Sequence, residues 1–128
     1  MEIQRTLSEH LLNLTILTKL TQLEGRVPGF IAQQLDAAEN QWDHQLQRVS
    51  ELLTAGNYKE CREIIHSMRG HLSMLGLSGL TERLEALEAE ISRDQRPGQT
   101  PTRWERERFI LNELKTRSLA AAREYLKN

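Results

Sequence analysis

Proline and glycine fall at only a few places in this chain of 128 residues: Gly25 with Pro28 and Gly29, Gly56, Gly70, Gly76 with Gly79, and Pro97 with Gly98 and Pro101. Gly70 falls inside an apolar-periodic segment. The others are stops or turns, and they divide the chain into five long segments. Each segment carries apolar residues in steps of three and four, and none alternates β-branched residues with polar ones as a half-buried strand would. The spacing therefore predicts an all-α protein.

The first segment carries Leu7, Leu11, Leu14, Leu17 and Leu20 and ends near Gly25, which predicts a helix of about five turns. The second follows Pro28 and repeats Ile31, Leu35, Ala38, Trp42, Leu46, Val49 and Leu53 over about six turns. Asn57 followed by Glu60 has the form of an N-cap with its reciprocal partner. The third helix then runs through Tyr58, Cys61, Ile65, Met68, Leu72 and Leu75 to a stop at Gly76. Ser78 is placed to cap a fourth helix with Leu80, Leu84, Leu87 and Ile91 inward. Beyond the RPGQTP linker, Thr102 with Glu105 opens a fifth, which draws its buried residues from Trp104, Leu111, Leu114, Ala121 and Tyr125. Short connections between long helices make neighbours antiparallel. The expected architecture is an antiparallel up-and-down four-helix bundle over 28–127, with an additional N-terminal helix over 1–25 covering an end or a side. The whole of 1–128 reads as one domain, since dividing the length by about 150 gives one.

Composition narrows the chemistry. Charged residues are 27% of the chain and the formal net charge is −1, a balance that selects no nucleic acid or other highly charged partner. A lone cysteine excludes an internal disulfide framework and a cysteine-rich zinc site, and it favours a reducing compartment. No apolar run reaches the roughly 18 residues of a spanning helix, and the polar start MEIQRTLSEH lacks the order of a signal peptide. The expectation is a cytoplasmic protein without a membrane partner, and the leading Met1 fits a stand-alone chain. His10 and His44 stand alone, no histidine pair has the i, i+4 spacing of a chelating helix, and no GxxxxGK[ST], GxGxxG or GxSxG loop occurs. No metal site and no cofactor is expected.

The third helix is different on its outer side. At about 100° per residue, His66 projects more than about 90° from the centre of the apolar stripe and so faces solvent. Lys59, Arg62, Arg69, Gly70 and Ser73 share that surface, each three or four residues from His66 or from one another. Gly70 in mid-helix costs about 1 kcal/mol relative to alanine, and Ser73 one turn on is equally low, which suits close approach by another molecule.

The run His66-Ser-Met-Arg-Gly70, with Gly76 after five more residues and then Leu80, Leu84, Leu87 and Glu88, resembles the histidine-containing phosphotransfer (HPt) domain. The family pattern is HxxKG, a second glycine at this distance, and a leucine series closing in Leu-Glu. The upstream stretch LLTAGNYKECREIIHS also resembles the approach to the family's histidine, and the likeness extends over roughly Pro28 to Lys127. Two positions depart from it: Arg69 stands where lysine is usual, and His71 where a small residue is.

The resemblance implies a phosphoryl carrier without its own nucleotide or metal site. His66 would be the acceptor, Arg69 would offset the charge of the transferring group, and Lys59, Arg62, Gly70 and Ser73 would dock a response-regulator receiver domain. The implied partners are that receiver and a hybrid sensor histidine kinase, with magnesium supplied by the receiver and the carrier itself a monomer. His71, on another side of the helix nearer the flank of the apolar stripe, reads as a packed or hydrogen-bonded structural residue and not as a second acceptor. The alternative is an HPt-like module that regulates a receiver or another signalling protein by binding it, independently of phosphorylation.

Overall fold

The computed structural model describes residues 11–93 and 100–127, with the side chains of the last helix described from residue 103. Five helices succeed one another: α1 (Leu14–Arg26), α2 (Phe30–Thr54), α3 (Tyr58–Met74), α4 (Ser78–Arg93) and α5 (Thr100–Lys127). The described residues contain no strand. Helix α2 packs against α3 and α5, and α4 packs against the same two, so α2 to α5 form the four corners of an up-and-down bundle.

The stripes read from the sequence form the core. Ile31, Leu35, Ala38, Trp42, Leu46, Val49 and Leu53 of α2 are all buried, as are Cys61, Ile65, Met68 and Leu72 of α3 and Leu80, Leu84, Leu87 and Ile91 of α4. Burying one such leucine or isoleucine side chain contributes about 1.5–3 kcal/mol, and these helices are held together chiefly by that burial. Cys61 belongs to this core. Burial pushes its thiol up to about 11, so it stays protonated and behaves as a small apolar side chain.

The chain's turns work by backbone geometry. Gly56 and Gly76 lie at positive φ (74° and 77°), the left-handed conformation that ends a helix at little cost only in glycine. Asn57 caps α3, its side chain accepting from the Glu60 N–H at 3.3 Å. The reciprocal half of that capping box does not form. The Asn57 N–H donates to the Leu52 carbonyl instead, and the Glu60 carboxylate pairs with Arg48 at 3.5 Å. Ser78 is likewise the first residue of α4 and not its cap, because the Leu77 carbonyl accepts the first bond from the Thr81 N–H. The last helix begins at Thr100, two residues ahead of the expected cap at Thr102.

The N-terminal helix departs furthest from expectation. Leu7 lies outside the described residues. The single five-turn helix is broken at Leu12 and Asn13, where the Asn13 side chain accepts from the Ile16 N–H at 3.1 Å and starts α1 afresh. The physical reason lies elsewhere in the fold: the Asn13 N–H donates to the Gly76 carbonyl at 2.7 Å, a bond it could not make inside a continuous helix. From there α1 lies across one end of the bundle. Leu17 is fully buried, Thr18 and Tyr125 share a hydroxyl hydrogen bond of 3.1 Å, and the chain passes through Gly25 without stopping before it reaches Arg26. The Glu24 carboxylate then accepts from the Gly29 and Ile31 N–H groups, capping α2 from the preceding helix.

Polar clasps join α5 to its neighbours. The Trp42 indole N–H donates to Asn112 at 2.8 Å and that of Trp104 to Ser50. Arg83 makes a two-pronged bond to Glu107, and Arg123 reaches Asp36 and Glu39 at 2.8 and 3.0 Å. Of the expected inward residues of α5, Trp104 and Leu111 are buried, whereas Leu114, Ala121 and Tyr125 are half-buried; Leu119, Ala122 and Ser118 complete the face.

Candidate functional site

Helix α3 presents two chemically opposite sides. Its buried stripe fixes the rotation of the helix, and that rotation carries His66 outward, with 65% of its side chain exposed. Gly70 and Ser73 follow on the same exposed surface. A Cβ built at Gly70 meets nothing within 4 Å, so this glycine leaves a clear space beside the histidine and does not serve helix packing. Lys59 is exposed and Arg62 half-buried, and both line a shallow groove with Glu63, His66 and Glu88.

The side chains meeting at His66 come from two helices. The Arg69 guanidinium, one turn along α3, places Nη2 3.0 Å from His66 Nδ1. From α4, Glu88 places Oε1 3.3 Å from the same nitrogen and Oε2 3.4 Å from Arg69 Nη1. Glu85, one turn earlier, lies 3.8 Å from Arg69 Nη1. Glu88 Oε2 is buried without a hydrogen-bond partner, so its only compensation is the ion pair with Arg69. Both contacts use Nδ1; Nε2 has no partner among the described residues, on a side chain that is 65% exposed.

All six residues singled out from the sequence, Lys59, Arg62, His66, Arg69, Gly70 and Ser73, lie on this outer side. The three cations among them do not make the surface simply basic. Arg69 is engaged by Glu85 and Glu88, and Glu63 sits in the same groove, so the surface around His66 is mixed in charge. Periodicity along α3 could not reveal carboxylates that arrive from α4. The pair Leu87-Glu88 was the available signal, since an inward leucine next to a glutamate puts that glutamate on a flank of the same helix. His71 is half-buried on the other flank of α3 and finds no hydrogen-bond partner among the described residues. Among those residues, no three His, Cys, Asp or Glu side chains form a group that could hold a metal ion, and no helix is long and apolar enough to cross a membrane.

An exposed histidine at mid-helix in a four-helix bundle, beside a cation and a glycine gap, is a constellation suited to carrying a small anionic group. The model of the Hpt domain family matches residues 31–124, from the start of α2 to the last turns of α5. The chain belongs to the Hpt domain family, whose members are phosphocarrier modules of two-component signalling that work with receiver domains and kinases. Comparison with curated proteins found no match, and neither did comparison with solved structures.

Proposed function

We propose that this chain is a histidine phosphotransfer protein that carries a phosphoryl group on His66, taking it from a receiver aspartate or a kinase and delivering it to a receiver. The observation that carries this reading is the exposure of the His66 ring at the centre of an otherwise well-packed helix, with Gly70 leaving space beside it. A phosphoryl acceptor needs an accessible ring nitrogen with a free lone pair, which a neutral imidazole supplies on one of its two nitrogens. Nε2 is the nitrogen with room for an incoming group.

Each neighbour has a role that follows from its charge and place. Arg69 offsets the charge that builds on the transferring oxygens, and its planar fork can hold two of them where a lysine would hold one. Lys59 and Arg62 attract the acidic pocket of a receiver, and Gly70 and Ser73 leave a low surface for its loops. The magnesium ion and the aspartate belong to the receiver, so this chain acts as a carrier and not as a kinase. A carrier of this kind works in the cytoplasm, where receivers and kinase domains meet it.

The test is transfer from a panel of phosphorylated receiver domains in the presence of magnesium, with the acid-labile phosphate mapped in the wild type and in His66→Gln. Label at His66 in the wild type, and none in the variant, is the expected result. Equal receiver binding by both proteins without any transfer would replace this reading with that of a phosphorylation-independent binding module.

A further inference from the structure

Arg69 and Glu88 converge on one atom, His66 Nδ1, at 3.0 and 3.3 Å. Their demands on it are incompatible. A guanidinium only donates, so its bond to Nδ1 requires a lone pair there and leaves the ring proton on Nε2. A carboxylate only accepts, so its bond requires a proton on Nδ1 and frees the lone pair of Nε2. With Arg69 at 3.0 Å, a protonated Nδ1 would set two N–H donors against each other. The tautomer is therefore decided by which neighbour holds Nδ1.

On the reading that His66 is the acceptor, we propose that Arg69 is a gate. In the free protein it holds Nδ1 as an acceptor and keeps the outward Nε2 protonated and non-nucleophilic. An acidic docking partner draws it away and passes Nδ1 to Glu88. The guanidinium is suited to release. It is a quarter exposed, its contacts to Glu88 and Glu85 are 3.4 and 3.8 Å, longer than direct hydrogen bonds, and it lies beside the groove lined by Lys59, Arg62, Glu63, His66 and Glu88. The carboxylates of a receiver pocket compete for it with shorter, bidentate contacts.

Once the gate has moved, Nδ1–H donates to Glu88 Oε1 and Nε2 presents its lone pair. The N–P bond forms from that pair while the P–O bond to the receiver aspartate breaks, its electrons leaving on the carboxylate. The ring proton stays on Nδ1 throughout. Arg69, released from the ring, is free to follow the phosphoryl oxygens. Premature reaction with small phosphoryl donors is suppressed, because they bring no carboxylates to open the gate.

Two measurements on the full chain test this. The first is nitrogen NMR of ¹⁵N-histidine-labelled protein at neutral pH, where the expected result is an Nε2–H ring at His66 in the wild type and a shift toward Nδ1–H in Arg69→Gln. An Nδ1–H ring already dominant in the wild type would overturn the gate. The second compares phosphoramidate, a small donor without an acidic pocket, with a phosphorylated receiver. Arg69→Gln should accept phosphate from phosphoramidate about 3- to 10-fold faster, as the competent fraction rises, and from the receiver about 10-fold slower, as docking attraction is lost. Slowing with both donors, together with an unchanged tautomer in Arg69→Gln, would overturn the gate and leave Arg69 as an ordinary charge stabiliser. If neither donor labels His66 in the wild type or in Arg69→Gln, the phosphotransfer reading is overturned, and the tautomer measurement still decides whether Arg69 holds Nδ1.

Discussion

Helix α3 has an open middle and a closed end, and the two are built from the same kind of residue. At the middle, Gly70 leaves empty space beside His66; a Cβ there would touch nothing within 4 Å. At the end, Gly76 is closed in: a Cβ there would come within 3.1 Å of Leu17 Cγ and 3.4 Å of the Asn13 carbonyl, while the Gly76 carbonyl receives the Asn13 N–H at 2.7 Å. The first glycine weakens the helix for access, and the second secures the fold by letting α1 dock on the turn between α3 and α4. Function and stability are thus separated along one helix, about six residues apart.

The strongest way to break that comparison is at the open middle. His66→Gln is expected to lose all phosphoryl uptake while the unfolding free energy stays within about 0.5 kcal/mol of wild type, since the ring is largely exposed. A large drop in stability, measured by urea titration, would mean that the middle is structural after all. At the closed end, Gly76→Ala should cost about 1–3 kcal/mol, because φ is +77° and the added methyl presses on Leu17. Arg69→Gln should cost about 1–2 kcal/mol by chemical denaturation, because it leaves the buried Glu88 oxygen without its ion pair, while the longer contact to exposed Glu85 adds little. Gly70→Ala sharpens the contrast with the opposite sign. It should stabilise the protein by roughly 0.5–1 kcal/mol through helix propensity, yet slow transfer from a receiver by crowding its approach.

The sequence made the closed parts of the molecule legible more readily than the open ones. Every inward residue expected on α2 and α4 is buried, because their apolar steps repeat without interruption. Gly76 ends α3 as expected, and the rotation that exposes His66 followed from the same stripe. What escaped depends on neighbours distant in sequence. The break at Asn13 is set by a carbonyl 63 residues away at Gly76, the side chain of Glu60 goes to Arg48 instead of closing its own cap, and the carboxylates at His66 come from α4. On α5, Ser118, Leu119 and Ala122 were missed because small and polar residues dilute its inward face, so its register could not be read from spacing alone. The family resemblance supplied the role of His66; the residues alone supplied only its exposure and its surroundings.

The two indole clasps have an optical consequence. Trp42 and Trp104 are the chain's only tryptophans, each is buried, and each donates its N–H across the seam between α2 and α5. Helix α5 stands diagonally across the bundle from α3, so intrinsic fluorescence reports on the seam away from the histidine. A substitution on the open face that leaves indole emission unchanged has left that seam intact, whereas one that shifts the emission has reached through the core.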